Sequence, residues 1–347
     1  MTGKDIGRFF ITKIKNSFSS AGKSFLLINF KTMIKTCEFV SPKHPDKLCD
    51  RIADAILDAY LRQDPESRVA IEVMGGHGEI NVSGEVTSSG EINISQIIQE
   101  IIGAGYESRV NIVKQSLEIA RGVDRGGAGD QGIMIGYACS DTENSMPLEY
   151  ELARRLCQAV YKHFPFDGKV QITLKDQQVE TVVVSFQNTQ HKDLEKLVKE
   201  QIKAKRYLIN SAGDWQQGGL AADSGLSGRK LVIDAYGPNV PIGGGSFSGK
   251  DYTKVDRSGA YMARHIALDL LKERGARAVL VKLAYAIGVS EPVMAVASID
   301  GKEEKLLTNY SGRYDLSPRG IRKTLGLDKL KFSDLASWGH FGRREEF

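Results

Sequence analysis

The strongest constraint in this chain is a recurrence. Three times, a glycine- or proline-marked loop leads into an amphipathic helix, and each helix leads into β-rich runs. The first copy is HPDKLCDRIADAILDAYLRQD, with Pro45 suited to the first helical position. Its Leu48, Ile52, Ile56 and Tyr60 stand four apart, flanked by Ala53, Leu57 and Leu61, which makes one apolar face. The second runs from Met146-Pro147-Leu148 into EYELARRLCQAVYKHF, and the third is KVDRSGAYMARHIALDLLKERG, stopped by Gly275. Behind them lie RVAIEVMGGHGEINVSGEVT, VQITLKDQQVETVVVSFQ and RAVLVKLAYAIGVSEPVMAVASI. The first two read as hairpins, with β-rich runs around a polar or glycine turn. A period of about 100 residues is too long for a solenoid. The pattern predicts an α+β fold of three similar units, each a sheet with helices on one face.

A chain of 347 residues, 41% hydrophobic, can build two or three real cores. No apolar run approaches the roughly 20 residues needed to span a bilayer. Cys37, Cys49, Cys139 and Cys157 are scattered without a CxxC pair, which reads as reduced thiols in a cytoplasmic protein. The net charge of +4 comes from the first 35 residues, which carry seven Lys/Arg and one Asp. The rest of the chain is slightly acidic and has no nucleic-acid footprint. Residues 1–35 lack an apolar secretory core followed by a cleavage site. They read as a disordered arm or as sequence ahead of a second start at Met33, with a transit-like peptide as the alternative.

Four loops carry chemistry. His44-Pro45-Asp46-Lys47 sets an imidazole, a carboxylate and an ammonium at one helix start, which suits anion and metal handling. A capped surface helix accounts for the tetrapeptide equally well. Gly126-Gly127-Ala128-Gly129-Asp130-Gln131-Gly132 is a flexible turn, preceded by a charged segment from Lys114 to Arg125 that suits a mobile lid. Asp223-Ser224-Gly225-Leu226-Ser227-Gly228-Arg229-Lys230 puts two cations beside two glycines, at the start of LVIDAY, which reads as a strand. Gly243 to Arg257, GGGSFSGKDYTKVDR, supplies peptide N–H groups, a lysine and carboxylates, the groups that a polyphosphate with a hard cation needs. Gly244 to Lys250 formally matches a Walker A loop. Asp251 stands where such a loop needs Ser or Thr, and Gly237-Pro238-Asn239-Val240-Pro241 separates LVIDAY from the glycines, so the P-loop reading fails.

Together these stretches resemble the S-adenosylmethionine synthetases (methionine adenosyltransferases). The matching segments are HPDK at 44–47, SGEVTSS at 83–89, GVDR at 122–125 with GAGDQG at 127–132, DSGLSGRK at 223–230, GGGSFSGKDYTKVDRS at 243–258, YAIGVSEP at 285–292 and GHFGR at 339–343. They run in family order from about residue 36 onward. The resemblance implies three α+β repeats related by a pseudo-threefold, here at 36–125, 126–217 and 218–347. It implies a sulfur attack by L-methionine on C5′ of ATP, loss of triphosphate, and hydrolysis of the triphosphate to pyrophosphate and phosphate. It further implies two magnesium ions on Asp46 and Asp256, and potassium at Glu72. Phosphate oxygens would meet Lys169, Arg229, Lys230 and Lys250, with His44 donating to the leaving oxygen. Asp167, Trp215, Asp223 and Ser246 would also contact ATP; Glu85, Gln115, Asp223 and Lys254 would contact methionine. The family pattern also implies a cytoplasmic homodimer with shared active sites, or a dimer of dimers, with no nucleic-acid or membrane partner.

Four departures from that pattern stand out. Pro42-Lys43 replaces a Glu-Gly pair, and Asp214-Trp215 replaces Arg-Phe at the adenine. The lid from Gln115 to Asp130 is short, and residues 1–35 have no counterpart in compact members. Two rival readings follow: a divergent relative with triphosphatase or altered-acceptor activity, and a non-catalytic nucleotide-binding subunit.

Overall fold

The computed structural model describes residues 33–310 and 312–343. The reading of residues 1–35 therefore falls outside the described chain, except at its last residues, where Ile34 and Lys35 open the first strand. In chain order the elements are β1 (Ile34–Val40), α1 (Pro45–Gln63), β2 (Arg68–Gly76), β3 (Glu79–Thr87), α2 (Ile94–Ile102), β4 (Glu107–Val113), α3 (Leu117–Asp124) and β5 (Gly132–Cys139). There follow α4 (Leu148–His163), β6 (Gly168–Lys175), β7 (Gln178–Phe186), α5 (His191–Gln201), β8 (Arg206–Ile209), β9 (Gly225–Leu226), α6 (Leu231–Asp234) and α7 (Val255–Arg274). The chain ends with β10 (Ala278–Tyr285), β11 (Met294–Ile299), β12 (Lys302–Lys305), α8 (Leu306–Asn309), α9 (Pro318–Thr324) and α10 (Phe332–Leu335).

Local chemistry accounts for the three long helices. Pro45 fits the first turn of α1, where its missing N–H costs nothing, and Leu48, Ile52, Ile56 and Leu57 are buried. Each such side chain contributes about 2 kcal/mol of apolar burial. α7 stops at Gly275, which takes the left-handed conformation (φ 57°) and returns its N–H to the Leu271 carbonyl. The hairpin β2–β3 turns on His77-Gly78 and β6–β7 on Asp176-Gln177. All four residues have positive φ, which matches a two-residue turn to the twist of the strands.

The strands make three four-stranded sheets, ordered β1-β6-β7-β8, β4-β3-β2-β9 and β12-β11-β10-β5. One long helix lies on each: α4 on the first, α1 on the second, α7 on the third. The repeated α+β unit read from the sequence is the architecture observed. The sheets exchange strands around a ring. β1 runs antiparallel to β6, β5 antiparallel to β10, and β9 antiparallel to β2. The strand that precedes each long helix thus belongs to a neighbouring sheet.

The reading of LVIDAY as a strand is corrected. Leu231–Asp234 is a single helical turn. Its apolar residues are too few to set a period, and the turn instead delivers buried Asp234 to Lys47. Within the segment expected to be a mobile lid, residues 117–124 are helical. The four cysteines are buried and free, and no helix among the described residues is long and apolar enough to cross a membrane.

Candidate active site

The site begins at the N-terminus of α1. His44 caps the helix, its Nδ1 accepting from the Asp46 N–H at 3.2 Å. A backbone N–H can only donate, so Nδ1 is unprotonated and a neutral His44 carries its proton on Nε2, as a donor. Burial and the nearby Lys230 and Lys169 charges lower the His44 pKa to about 4, against the opposing pull of Asp46. The ring is therefore neutral near pH 7.

Asp46 is buried and accepts from the Leu226 N–H at 3.0 Å and from Lys230 Nζ at 2.6 Å, with Arg229 Nε 3.5 Å away. Burial alone would raise its pKa, but Lys230 and the Leu226 N–H bring it below the ordinary carboxylate range. Gly225 allows this docking: a Cβ there would lie 2.3 Å from the Pro45 carbonyl carbon and oxygen. One turn along, Asp50 accepts from the Gly228 N–H at 2.8 Å. The two cations predicted in 223–230 are thus seated on the helix that starts at His44.

The glycine-rich loop meets the same helix two turns on. Asp54 accepts from the Gly249 N–H at 2.9 Å. Lys250 Nζ lies 2.7 Å from Asp256 Oδ2, and a Cβ on Gly245 would fall 2.0 Å from Asp256 Oδ1. Ser246 Oγ is buried without a hydrogen-bond partner. Asp251, which excluded the Walker reading, is a structural hub. Its carboxylate accepts from the Val69 N–H, the Thr253 N–H and hydroxyl, and Lys254 Nζ. Lys254 is accordingly buried and held by Asp251 rather than by a residue of the triphosphate set.

The remaining predicted residues fall into two neighbourhoods. Asp167 holds the Gly219 N–H at 2.9 Å, and burial raises its pKa. Lys169, largely exposed and 3.9 Å from Glu38, pairs in register with Val40 and with Ser185. Ser185 Oγ accepts from the indole of half-buried Trp215 at 3.0 Å. His44 senses the charges of Lys169 and of exposed Asp223, which places both in its surroundings. Asp214 turns away from this group: its carboxylate receives the His191 N–H at 3.1 Å and the Asn210 side-chain amide at 3.0 Å, closing the start of α5. The reversed charge at that position is consumed by a helix cap.

In the second neighbourhood, Glu72 takes a hydrogen bond from the Ser227 hydroxyl. Its pKa is raised by burial of the carboxyl, opposed by Ser227 and by Lys250, and lifted further by Asp256. Glu85 is exposed on β3, opposite Ala70, which bridges to Lys250. Glu85 also pairs with Val113, two residues before buried Gln115. The loop that follows α3 is clasped to the segment after β10. Ala128 donates to Val289 O and accepts from the Gly288 N–H, and Gly127 packs so tightly on Gly288 that a Cβ would lie 2.3 Å from it.

The sequence reading missed a buried polar layer behind these groups. Asp46, Asp50, Asp54 and Asp58 repeat every four residues, and each accepts a backbone N–H: the first two from Leu226 and Gly228 of segment 223–230, the others from Gly249 and Phe332. That spacing was the available signal. Lys47 pairs with Asp50 at 2.9 Å and with Asp234. His340 bonds Tyr261 through Nδ1, and burial with nearby Lys47 and Arg257 holds its pKa well below the usual value. A histidine kept neutral in the fold and protonated when unfolded makes stability fall as pH drops below about 6.5. His340→Phe is expected to reduce that dependence by one proton, about 1.4 kcal/mol per pH unit, in chemical denaturation from pH 6.5 to 5.

The carboxylates can be tested for cations. Asp46, buried, and Asp256, partly buried, each lie beside a lysine and keep one close oxygen contact with it. Among the described residues no group of three or more His, Cys, Asp or Glu gathers to hold a metal alone. This donor set fits magnesium, which takes one or two carboxylates and completes its shell with phosphates and water.

The S-adenosylmethionine synthetase N-terminal domain family matches residues 32–126, the central domain family 125–215 and the C-terminal domain family 217–347. S-adenosylmethionine synthase from Fusobacterium nucleatum is 40% identical over 89% of this chain and 93% of its own length. The synthase from Nitratiruptor sp. is 39% identical over 89% and 92%. The solved structure of an unusual S-adenosylmethionine synthetase from Campylobacter jejuni superposes with a TM-score of 0.81 at 32% identity, covering 90% of this chain and 95% of that one.

Proposed function

The chain belongs to the S-adenosylmethionine synthetase family, and from that premise we propose how its residues carry out the methionine adenosyltransferase reaction. The thioether sulfur of L-methionine attacks C5′ of ATP, the C5′–O bond breaks, and the electron pair leaves with triphosphate. Hydrolysis to pyrophosphate and phosphate follows. The sulfur becomes a sulfonium without losing a proton, so no general base is required. Catalysis then rests on alignment and on positive charge around the departing triphosphate.

The observation that carries this reading is the pairing of two carboxylates, one buried and one partly buried, with two lysines, Asp46 with Lys230 and Asp256 with Lys250, beside a glycine-rich loop. Asp46 and Asp256 hold the two magnesium ions, which supply charge neutralisation when bound, and Glu72 holds potassium. Arg229, Lys230, Lys169 and Lys250 neutralise phosphate oxygens. Neutral His44 donates from Nε2 to the bridging oxygen. Asp167, Asp223, Trp215 and the unpartnered Ser246 hydroxyl contact the nucleotide, while Glu85, Gln115, Asp223 and Lys254 form the methionine side.

A homodimer with shared sites, or a dimer of dimers, is the assembly we favour, in the cytoplasm. Met74, Val113 and Leu226 are 51%, 55% and 37% exposed on the side of their sheet that also carries Glu72 and Glu85. That apolar surface suits burial against a second copy.

The test is purified protein with ATP, methionine, magnesium and potassium, followed for S-adenosylmethionine, phosphate and pyrophosphate together. Equal yields of the three support the reading. Phosphate without sulfonium product indicates a triphosphatase or another acceptor. Retained ATP binding without turnover indicates a nucleotide-binding subunit.

A further inference from the structure

Behind Lys250 lies an ion pair that no step above uses. Asp54 on α1 and Arg257 on α7 are both buried, and Arg257 Nη1 donates to Asp54 Oδ1 at 2.7 Å. The same Asp54 oxygen accepts from the Gly249 N–H at 2.9 Å. The other guanidinium nitrogen, Nη2, donates to the Lys250 carbonyl at 2.7 Å. The pair therefore grips the backbone on both sides of Lys250, at the Ser248–Gly249 peptide before it and the Lys250–Asp251 peptide after it. The guanidinium plane is itself fixed, 4.0 Å from the centre of the Phe332 ring.

The loop admits little alternative. Gly249 has φ +79°, and a Cβ there would lie 2.1 Å from the Ile71 carbonyl oxygen. Asp54 Oδ2 is buried with no hydrogen-bond partner. A desolvated carboxylate with one unsatisfied oxygen is poor material for stability alone, because apolar residues of similar size commonly do as well.

Taking Lys250 as a triphosphate-binding residue, we infer that the Asp54–Arg257 pair is the positioning device that fixes the Lys250 backbone and so the aim of its ammonium. Asp256, next to Arg257 on α7, restrains the same lysine at its Nζ. Fixing both ends means that the cation need not be ordered again as charge develops on the leaving group. The pair acts through Lys250 and touches no substrate.

A double-mutant cycle tests this. Asp54→Ala is expected to lower kcat about 10- to 100-fold, the effect of a roughly 1 Å misplacement, with KM for methionine changing less than about threefold. In a Lys250→Ala background the same change is expected to add almost nothing, since the group it aims is gone. Arg257→Lys is expected to behave like Asp54→Ala, because an ammonium lacks the planar fork that spans a carboxylate and a carbonyl. Where Asp54→Ala does not yield folded protein, Arg257→Lys closes the same cycle, with thermal unfolding recorded for every variant. Fully additive losses with an impaired Lys250→Ala would overturn the inference alone. An unimpaired Lys250→Ala would overturn the assignment of Lys250, and this inference with it.

Discussion

Lys250→Ala is expected to lower turnover at saturating substrates by roughly 10²–10³-fold, the size of effect seen when one preorganised donor to a developing anion is removed. The lysine sits 2.7 Å from Asp256, is mostly buried, and follows a run of glycines whose backbone can approach a polyphosphate. In that setting its charge interacts more strongly than it would in water. The sulfur nucleophile carries no charge for it to stabilise, so methionine affinity should change by less than about threefold. Single-turnover measurement of sulfonium formation, with methionine binding measured separately, checks both halves. Collapse of methionine binding with a surviving saturated rate would place Lys250 on the wrong substrate.

The second large effect is expected from a single methyl group. Gly225→Ala puts a Cβ 2.3 Å from the Pro45 carbonyl and 2.8 Å from the Asp46 N–H, and those are backbone atoms of the first turn of α1. They cannot swing aside as the end of a long side chain can. Segment 223–230 must lift, and with it the Leu226 N–H and the Lys230 ammonium that hold Asp46. Because both are lost together, a drop in kcat/KM of about 10²-fold or more is expected, with destabilisation of about 1–3 kcal/mol from overpacking. Urea unfolding separates the two, since stability loss that small leaves most molecules folded. Activity within about twofold of the parent would mean that the contact between these two loops is not part of the site.

The long helices were legible because apolar residues four apart and a terminal glycine are local signals. The hairpins at 68–87 and 168–186 were legible from signals just as local, β-rich runs around a polar or glycine turn. LVIDAY was not, because four apolar-rich residues fit a strand and a helical turn alike, and a distant lysine decided between them. The site residues were visible only through ordered motifs. What was hidden is how they are held. The aspartate stripe of α1 lies in plain sight in the sequence, but its partners are backbone N–H groups at 226, 228, 249 and 332, and peptide groups leave no mark in a sequence. Asp214 shows the converse case, where a charge that looks functional is used up by a neighbouring helix end.

The ring of exchanged strands bears on how such a chain is made. β1 finds its partner only when β6 exists, and β5 only when β10 exists; β9 closes the ring by reaching back to β2. On a ribosome, β5 waits about 7 to 30 seconds for β10 at ordinary synthesis rates of about 5–20 residues per second. During that interval the growing chain exposes unpaired strand edges, a period when chaperones matter most. The same ring makes the three units poor candidates for excision or shuffling. A cut at any boundary removes a strand from one sheet and leaves another strand without its partner, so the threefold repeat is a feature of shape and not of modularity.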